Sequence, residues 1–242
     1  MRTIVHSIIA AGLLLLSTSG ASAQTVSAAG VDFLGIYGPP IYDGGGPPRR
    51  QPDVIPYTAA GREAVANYDS ERDTPRVRDN CAPETMPRIV WTGNPIQIYE
   101  QDGQLVIHYE RGNVVRTIAM DGSSPPEGEP NSHLGFSTGW WDGDVLTIET
   151  THMLDGVISG GSLPMSSNAR VVERYWREPG ELDLQHDLDI HDSANYTEAF
   201  TMGREWIWAP DEQVREWTCA DFGPNNEAPD IEEILRMLEG DE

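Results

Sequence analysis

The stretch from Pro95 to Met120 decides the fold: Pro95-Ile96-Gln97-Ile98-Tyr99-Glu100-Gln101, then Asp102-Gly103, then Gln104-Leu105-Val106-Ile107-His108-Tyr109-Glu110, then Arg111-Gly112-Asn113, then Val114-Val115-Arg116-Thr117-Ile118-Ala119-Met120. Apolar residues recur at every second position in each run, the period of a half-buried strand. Asp-Gly between two such runs is a strong signal for a tight hairpin turn. Working outward, Gly135–Trp141 and Asp144–His152 flank Asp142-Gly143, and Ala169–Arg177 and Glu181–Ile190 flank Pro179-Gly180. Thr197–Trp208 and Val214–Cys219 complete the series around Pro210-Asp211. About eight strands joined mostly by short turns make an antiparallel meander. Closing it removes its free edges, so the fold expected is all-β: an up-and-down, lipocalin-like barrel or rolled sheet with short flanking helices. A two-sheet sandwich is the alternative. An eight-stranded barrel is just wide enough to hold one small ligand.

The rest of the chain frames this domain. Arg2, the apolar run Ile8–Leu16 and Ala21-Ser22-Ala23 before Gln24 have the three parts of a secretory leader, which places residues 1–23 as a cleaved signal peptide. The protein is then periplasmic or extracellular. The apolar run is too short to span a bilayer, and no later stretch is apolar enough, so no membrane insertion is expected once the leader is cut. Residues 24–56, with Gly38-Pro39-Pro40 and Gly44-Gly45-Gly46-Pro47-Pro48, read as an irregular lead-in. Thr58 can cap a short helix running through Tyr68. The β domain spans 57–222. In the tail, 223–242, Ile231, Ile234, Leu235 and Leu238 fall at the spacing of an amphipathic helix face.

Charge narrows the partners. Sixteen basic residues against 39 acidic ones give −23, or −24 once Arg2 has gone with the leader. Such a field repels phosphate backbones and anionic membrane surfaces, which argues against nucleic acid as a partner. The chain contains no lysine. That excludes Schiff-base, pyridoxal-phosphate and P-loop chemistry, and no cofactor is expected. Cys81 and Cys219 are the two cysteines; in an oxidising compartment they most simply form a disulfide, with two free thiols as the alternative. The oligomeric state is not legible.

Candidate chemistry comes from polar residues on apolar faces. Arg116 shares a face with Val114, Ile118 and Met120. Glu173 alternates with Val171 and Tyr175, His186 lies between Leu184 and Leu188, and His152 continues the face of Leu146 and Ile148. Buried singly each is costly, so they should find one another or a ligand. Arg116, Glu173 and His186, with Glu149 nearby and Trp206 and Trp208 sharing a face, are the candidate ligand-binding set. His186, His152 and Glu173 are the candidate acid–base residues of an enzyme on the same barrel. A satisfied structural network and ordinary aromatic packing explain the same residues. Gly135-Phe136-Ser137-Thr138-Gly139 matches G-x-S-x-G, but strand and hairpin come after it where a nucleophile elbow needs a helix. Asp187, Asp189, His191 and Asp192 are metal-ligand types. The aspartates at 187 and 189, however, lie on the polar half of an alternating strand, so a solvated face is the better reading and no metal is expected.

Several segments together resemble a large family of secreted bacterial β-rich proteins with no established activity. They are Val115–Gly122, Leu134–Thr151, Val171–Tyr175, Tyr196–Glu198 and Trp206–Pro210 ahead of Cys219. The resemblance covers roughly residues 55 to 220 and implies a shared β-rich fold. Many members carry His-Pro-His after the long hairpin. Here the stretch is Ser162-Leu163-Pro164-Met165-Ser166, so no site is carried over from it. The function these readings favour is binding of a small, partly apolar molecule. The alternatives are a cofactor-independent isomerase, lyase or hydrolase, and an envelope interaction protein without a ligand cavity.

Overall fold

The structure is a computed structural model that describes residues 26–27, 30–40, 50–69, 84–158 and 163–217. The elements in chain order are β1 (Gly35–Gly38), α1 (Ala59–Asn67), β2 (Ile96–Gln101), β3 (Gln104–Tyr109), β4 (Val114–Ile118), β5 (Phe136–Asp142), β6 (Val145–Thr151), β7 (Gly156–Val157), β8 (Pro164–Met165), β9 (Arg170–Trp176), β10 (Leu184–His191) and β11 (Phe200–Trp208). Nine strands form one sheet in the order β4-β3-β2-β1-β11-β10-β9-β6-β5, and every adjacent pair in it is antiparallel. The two-residue strands β7 and β8 pair separately.

The sheet rolls until its two edges meet. Ala119 makes a parallel bridge to Thr138. The Ala119 N–H donates to the Ser137 carbonyl at 2.9 Å, and the Gly139 N–H donates to the Ala119 carbonyl at 2.8 Å. Gly139 allows this close approach, because an added Cβ would run into Met120 Sδ and Ile118 Cγ2. The fold is thus an all-β, nearly closed barrel, as the alternation and hairpin turns lead one to expect. Asp102 and Gly103 both take positive φ, the conformation a two-residue hairpin turn of this type demands.

Alternation delivers the core. Ile96, Ile98, Ile107, Tyr109, Ile118, Leu146, Ile148, Val171, Tyr175, Leu184, Leu188, Ile190, Met202 and Trp206 are buried in a single cluster. Met86, Ile89, Val90 and Trp91, around the 3-10 turn Arg88–Trp91, join it from outside the sheet. Arg204 of β11, also buried, donates to the carbonyls of Val90 and Thr92 and so fastens that turn to the barrel.

Two expectations about the chain's ends differ from the structure. The lead-in 24–56 contains β1, which stands in mid-sheet between β2 and β11. Its four residues lie among glycines and prolines, too few for a period to show. Conversely, Val214–Trp217 is not a strand. It is held by side chains: Arg215 N–H donates to Glu110 Oε2 at 3.0 Å, and Trp217 exchanges two bonds with the Asn113 amide, at 2.8 and 2.9 Å. Helix α1 forms where the sequence puts it, with the Thr58 hydroxyl accepting from Gly61 N–H at 3.0 Å. The leader, Cys81, Cys219 and the apolar tail positions 231–238 lie outside the described residues. Among the described residues no helix is long and apolar enough to cross a membrane.

Candidate functional site: a sealed polar network and an open groove

The interior residues Arg116, Glu173 and His186 do meet. Arg116 reaches from β4 across the seam. Its Nε donates to Ser137 Oγ on β5 at 3.0 Å, and its Nη2 donates to Thr150 Oγ1 on β6 at 2.7 Å and to Glu173 Oε2 on β9. The other Glu173 oxygen accepts from the Tyr175 hydroxyl at 3.1 Å and from His186 Nε2 at 3.1 Å. Trp206 Nε1 lies 3.3 Å from His186 Nδ1. Indole nitrogen can only donate, so Nδ1 accepts and the imidazole proton sits on Nε2, facing Glu173. The Tyr175 ring stacks on the imidazole with centroids 3.8 Å apart.

These contacts set the protonation states. Burial opposes the charge on Glu173, but the Arg116 guanidinium and the His186 hydrogen bond outweigh it and hold the carboxyl at about 2. Burial pushes His186 below its ordinary value despite Glu173, and the positive fields of Arg204 and Arg116 add to that. The result is one ionised pair, Arg116–Glu173, beside a neutral histidine. Burial likewise raises the Tyr109 hydroxyl to about 12. That hydroxyl lies against Arg116 and Tyr175, but among the described residues neither it nor Arg116 Nη1 makes a hydrogen bond of ordinary geometry.

Access decides what this network can do. Glu173, His186, Arg204 and Trp206 are all 0 % exposed, and Arg116 is 1 % exposed. No surface of the His–Glu pair is open to a substrate, so in this conformation the network stitches six strands together, β4, β5, β6, β9, β10 and β11.

The other candidates fall elsewhere. Glu149 faces outward and pairs with Arg170 at 2.8 Å. His152 comes just after the end of β6 at φ 57°, which turns its ring off the inner face to Thr151 Oγ1 at 2.9 Å. Trp208 lies at the end of β11, edge-on to Tyr37 with centroids 5.2 Å apart. Ser137 is a buried partner of Arg116 and not a nucleophile on a sharp turn. The acidic face of β10 is ion-paired as well as solvated: Asp187 with Arg50, and Asp189 with Arg174. Asp192 is buried and accepts from Ser166, Ala194 and Asn195. Among the described residues no group of three His, Cys, Asp or Glu side chains could hold a metal ion. Arg204, Tyr109 and Thr150 were not singled out from the sequence, although the two-residue period places them on the inner faces of their strands.

An opening lies on the outside of the barrel. Tyr37 points inward and is fully buried, so Gly38 faces outward, opposite Ile207 across the strand pair. Gly38, Pro39, Pro40, Gly93, Pro95, Ile207, Ala209 and Glu212 line a groove of about 540 Å³. Its described walls are apolar apart from backbone and the Glu212 carboxylate. The notch exists because Gly38 has no side chain; an added Cβ would meet only Ala209 Cβ, at 3.9 Å.

No family model, curated protein or solved structure matches the chain.

Proposed function

We propose that the chain is a periplasmic or secreted binding protein for a small, partly apolar molecule, bound in the outer groove at Gly38 and not inside the barrel. The observation that carries this reading is the groove: its volume is in the range of small-molecule sites, and its described lining is mostly apolar with Glu212 as a polar anchor. Proline faces and bare glycine backbone suit a flat ring. The carboxylate and the chain's charge of −23 favour an uncharged or cationic ligand over an anion. Placement outside the cytoplasm rests on the leader pattern. The acid–base reading would need substrate to reach Glu173 and His186, which are sealed.

The test is binding of a neutral aromatic probe, N-phenyl-1-naphthylamine, and of aromatic amine fragments to residues 24–242, by fluorescence and saturation-transfer NMR. Gly38→Leu fills the notch without backbone strain, since Gly38 does not require positive φ. It is expected to weaken binding at least about tenfold. Binding that is unchanged in Gly38→Leu but lost in Tyr109→Phe would place the ligand inside and overturn the reading.

A further inference from the structure

We infer that the ligand of the groove is a protonated amine on an apolar body, its N–H groups and its charge directed at Glu212 and the neighbouring carbonyls; this rests on the groove being the ligand site. The described lining can accept hydrogen bonds but can hardly donate one. Pro39, Pro40 and Pro95 have no N–H to offer. The Ala209 N–H is spent on the Ile36 carbonyl at 2.9 Å. In that register Gly38 and Ile207 are the next pair to exchange both backbone bonds, so their N–H groups are spent as well. The Glu212 N–H donates to the Ala209 carbonyl at 3.1 Å. Of the described lining, that leaves the N–H of Gly93, and no side-chain donor. The polar side chains on either side of Gly93 are also committed. The Thr92 hydroxyl donates to the Ile89 carbonyl at 2.9 Å, and the Asn94 amide donates to Glu110 Oε1 at 3.2 Å.

Acceptors, by contrast, are in surplus. Among the described residues the carbonyls of Pro39, Pro40 and Gly93 receive no hydrogen bond. The Pro95 carbonyl accepts from the Glu110 N–H at 3.1 Å and keeps a second lone pair. The Glu212 carboxylate is acceptor-only, and the described lining holds no basic side chain. An anion placed here would find neither opposite charge nor donors, and the chain's charge of −23 would oppose its approach. A ketone or ether oxygen would lose its water and gain nothing in return. An alcohol could give one hydrogen bond but would leave its own oxygen short of a donor. An alkylammonium has three N–H groups, a positive charge and no acceptor to satisfy. Its bond to a carboxylate is charge-assisted, roughly twice as strong as one between neutral groups. The proline faces and the notch at Gly38 then take the apolar body.

Calorimetric titration of residues 24–242 with four ligands of one shape tests this: 2-naphthylmethylamine, its N,N,N-trimethyl derivative, 2-naphthylmethanol and 2-naphthoate. At neutral pH and low salt the amine should bind at least about tenfold more tightly than the alcohol, and 2-naphthoate should show no binding. Gly38→Leu should weaken amine and alcohol alike, because it fills the seat of the ring. Glu212→Gln should cut the ratio of amine to alcohol affinity severalfold. Equal affinities for amine and alcohol, both reduced by Gly38→Leu, overturn the inference and leave the groove as the site of a neutral ligand. Indifference of both ligands to Gly38→Leu overturns the groove reading and this inference with it. A ratio unmoved by Glu212→Gln overturns the inference alone, by assigning the preference to the field of the whole acidic chain. A trimethyl derivative as tight as the amine does the same, since charge without N–H donation would then suffice.

Discussion

Arg116 is the residue on which the interior turns. Its guanidinium touches β5, β6 and β9 from β4. Arg116→Met should cost about 3–5 kcal/mol, because it leaves Glu173 charged and unpaired in the core. Urea unfolding of Arg116→Met, Glu173→Gln and the double variant should show strong coupling, with the double losing much less than the sum. Tyr109→Phe should be far milder. Its hydroxyl makes no hydrogen bond of ordinary geometry but lies against the Arg116 guanidinium and Tyr175, so removing it should change stability by no more than about 1 kcal/mol; a larger loss in urea unfolding would show that those contacts hold it. Acid should act through the same cluster. Glu173 titrates at about 2 in the fold against 4.5 as the ordinary value, so its contribution is present above pH 4.5 and is lost as pH falls toward 2. The depressed His186 acts in the same direction, its contribution fading as pH falls below its ordinary 6.5. The gap in thermal midpoint between the native protein and Glu173→Gln should therefore narrow steadily from about pH 5 to about pH 2. Arg116, Glu173 and His186 could be paired from sequence alone because each is a polar residue at an apolar position. Sequence could not tell whether their meeting place is open. That depends on how large neighbours such as Trp206, Tyr175 and Tyr109 fill the space, which is a property of the assembled barrel.

Among the elements, the seam between β4 and β5 is where the barrel is most lightly held. Two backbone hydrogen bonds through Ala119 join it from outside, and the Arg116 side chain joins it from within. Ala119→Pro deletes the donor to Ser137 and should raise exchange of the amides in 114–118 and 136–142 while those of β10, paired on both sides, stay slow. Uniform acceleration throughout would mean the seam has no local stability of its own. The hairpins were legible because Asp102-Gly103, Asp142-Gly143 and Pro179-Gly180 punctuate runs of period two. The seam was not, because parallel contact between β4 and β5 leaves no turn signature. Nor was β1, since Gly35 to Gly38 carries only two side chains with which to show a pattern. The groove was hidden for the same reason: it is made by an absent side chain at Gly38 and by prolines that elsewhere mark loops.

At the scale of the whole molecule, the excess of acidic over basic residues means that the folded chain repels itself. Raising salt from about 20 mM to about 300 mM should increase the thermal midpoint by screening that repulsion, and a flat response would show that the charges are already locally compensated. Compensation of that kind is visible across β6, β9 and β10, where Arg174 meets Asp189 and Arg170 lies beside Glu149. The ring of strands carries a different constraint, one of parity. Strand directions that alternate around a closed circuit can do so without exception only if the number of strands is even. With nine, one junction must join neighbours running the same way, and this chain puts that junction at β4–β5. Take β1 away and the count becomes eight, yet the conflict is not cured. Strands β2 and β11 both run opposite to β1, so they would become neighbours with the same direction, and the ring would hold two such junctions instead of one. Four residues in a glycine- and proline-rich stretch thus keep β2 and β11 from meeting as parallel neighbours. Trimming the chain from its start should begin to cost stability once Ser27 and Phe33, both buried, are lost, and should be ruinous once Tyr37 is gone.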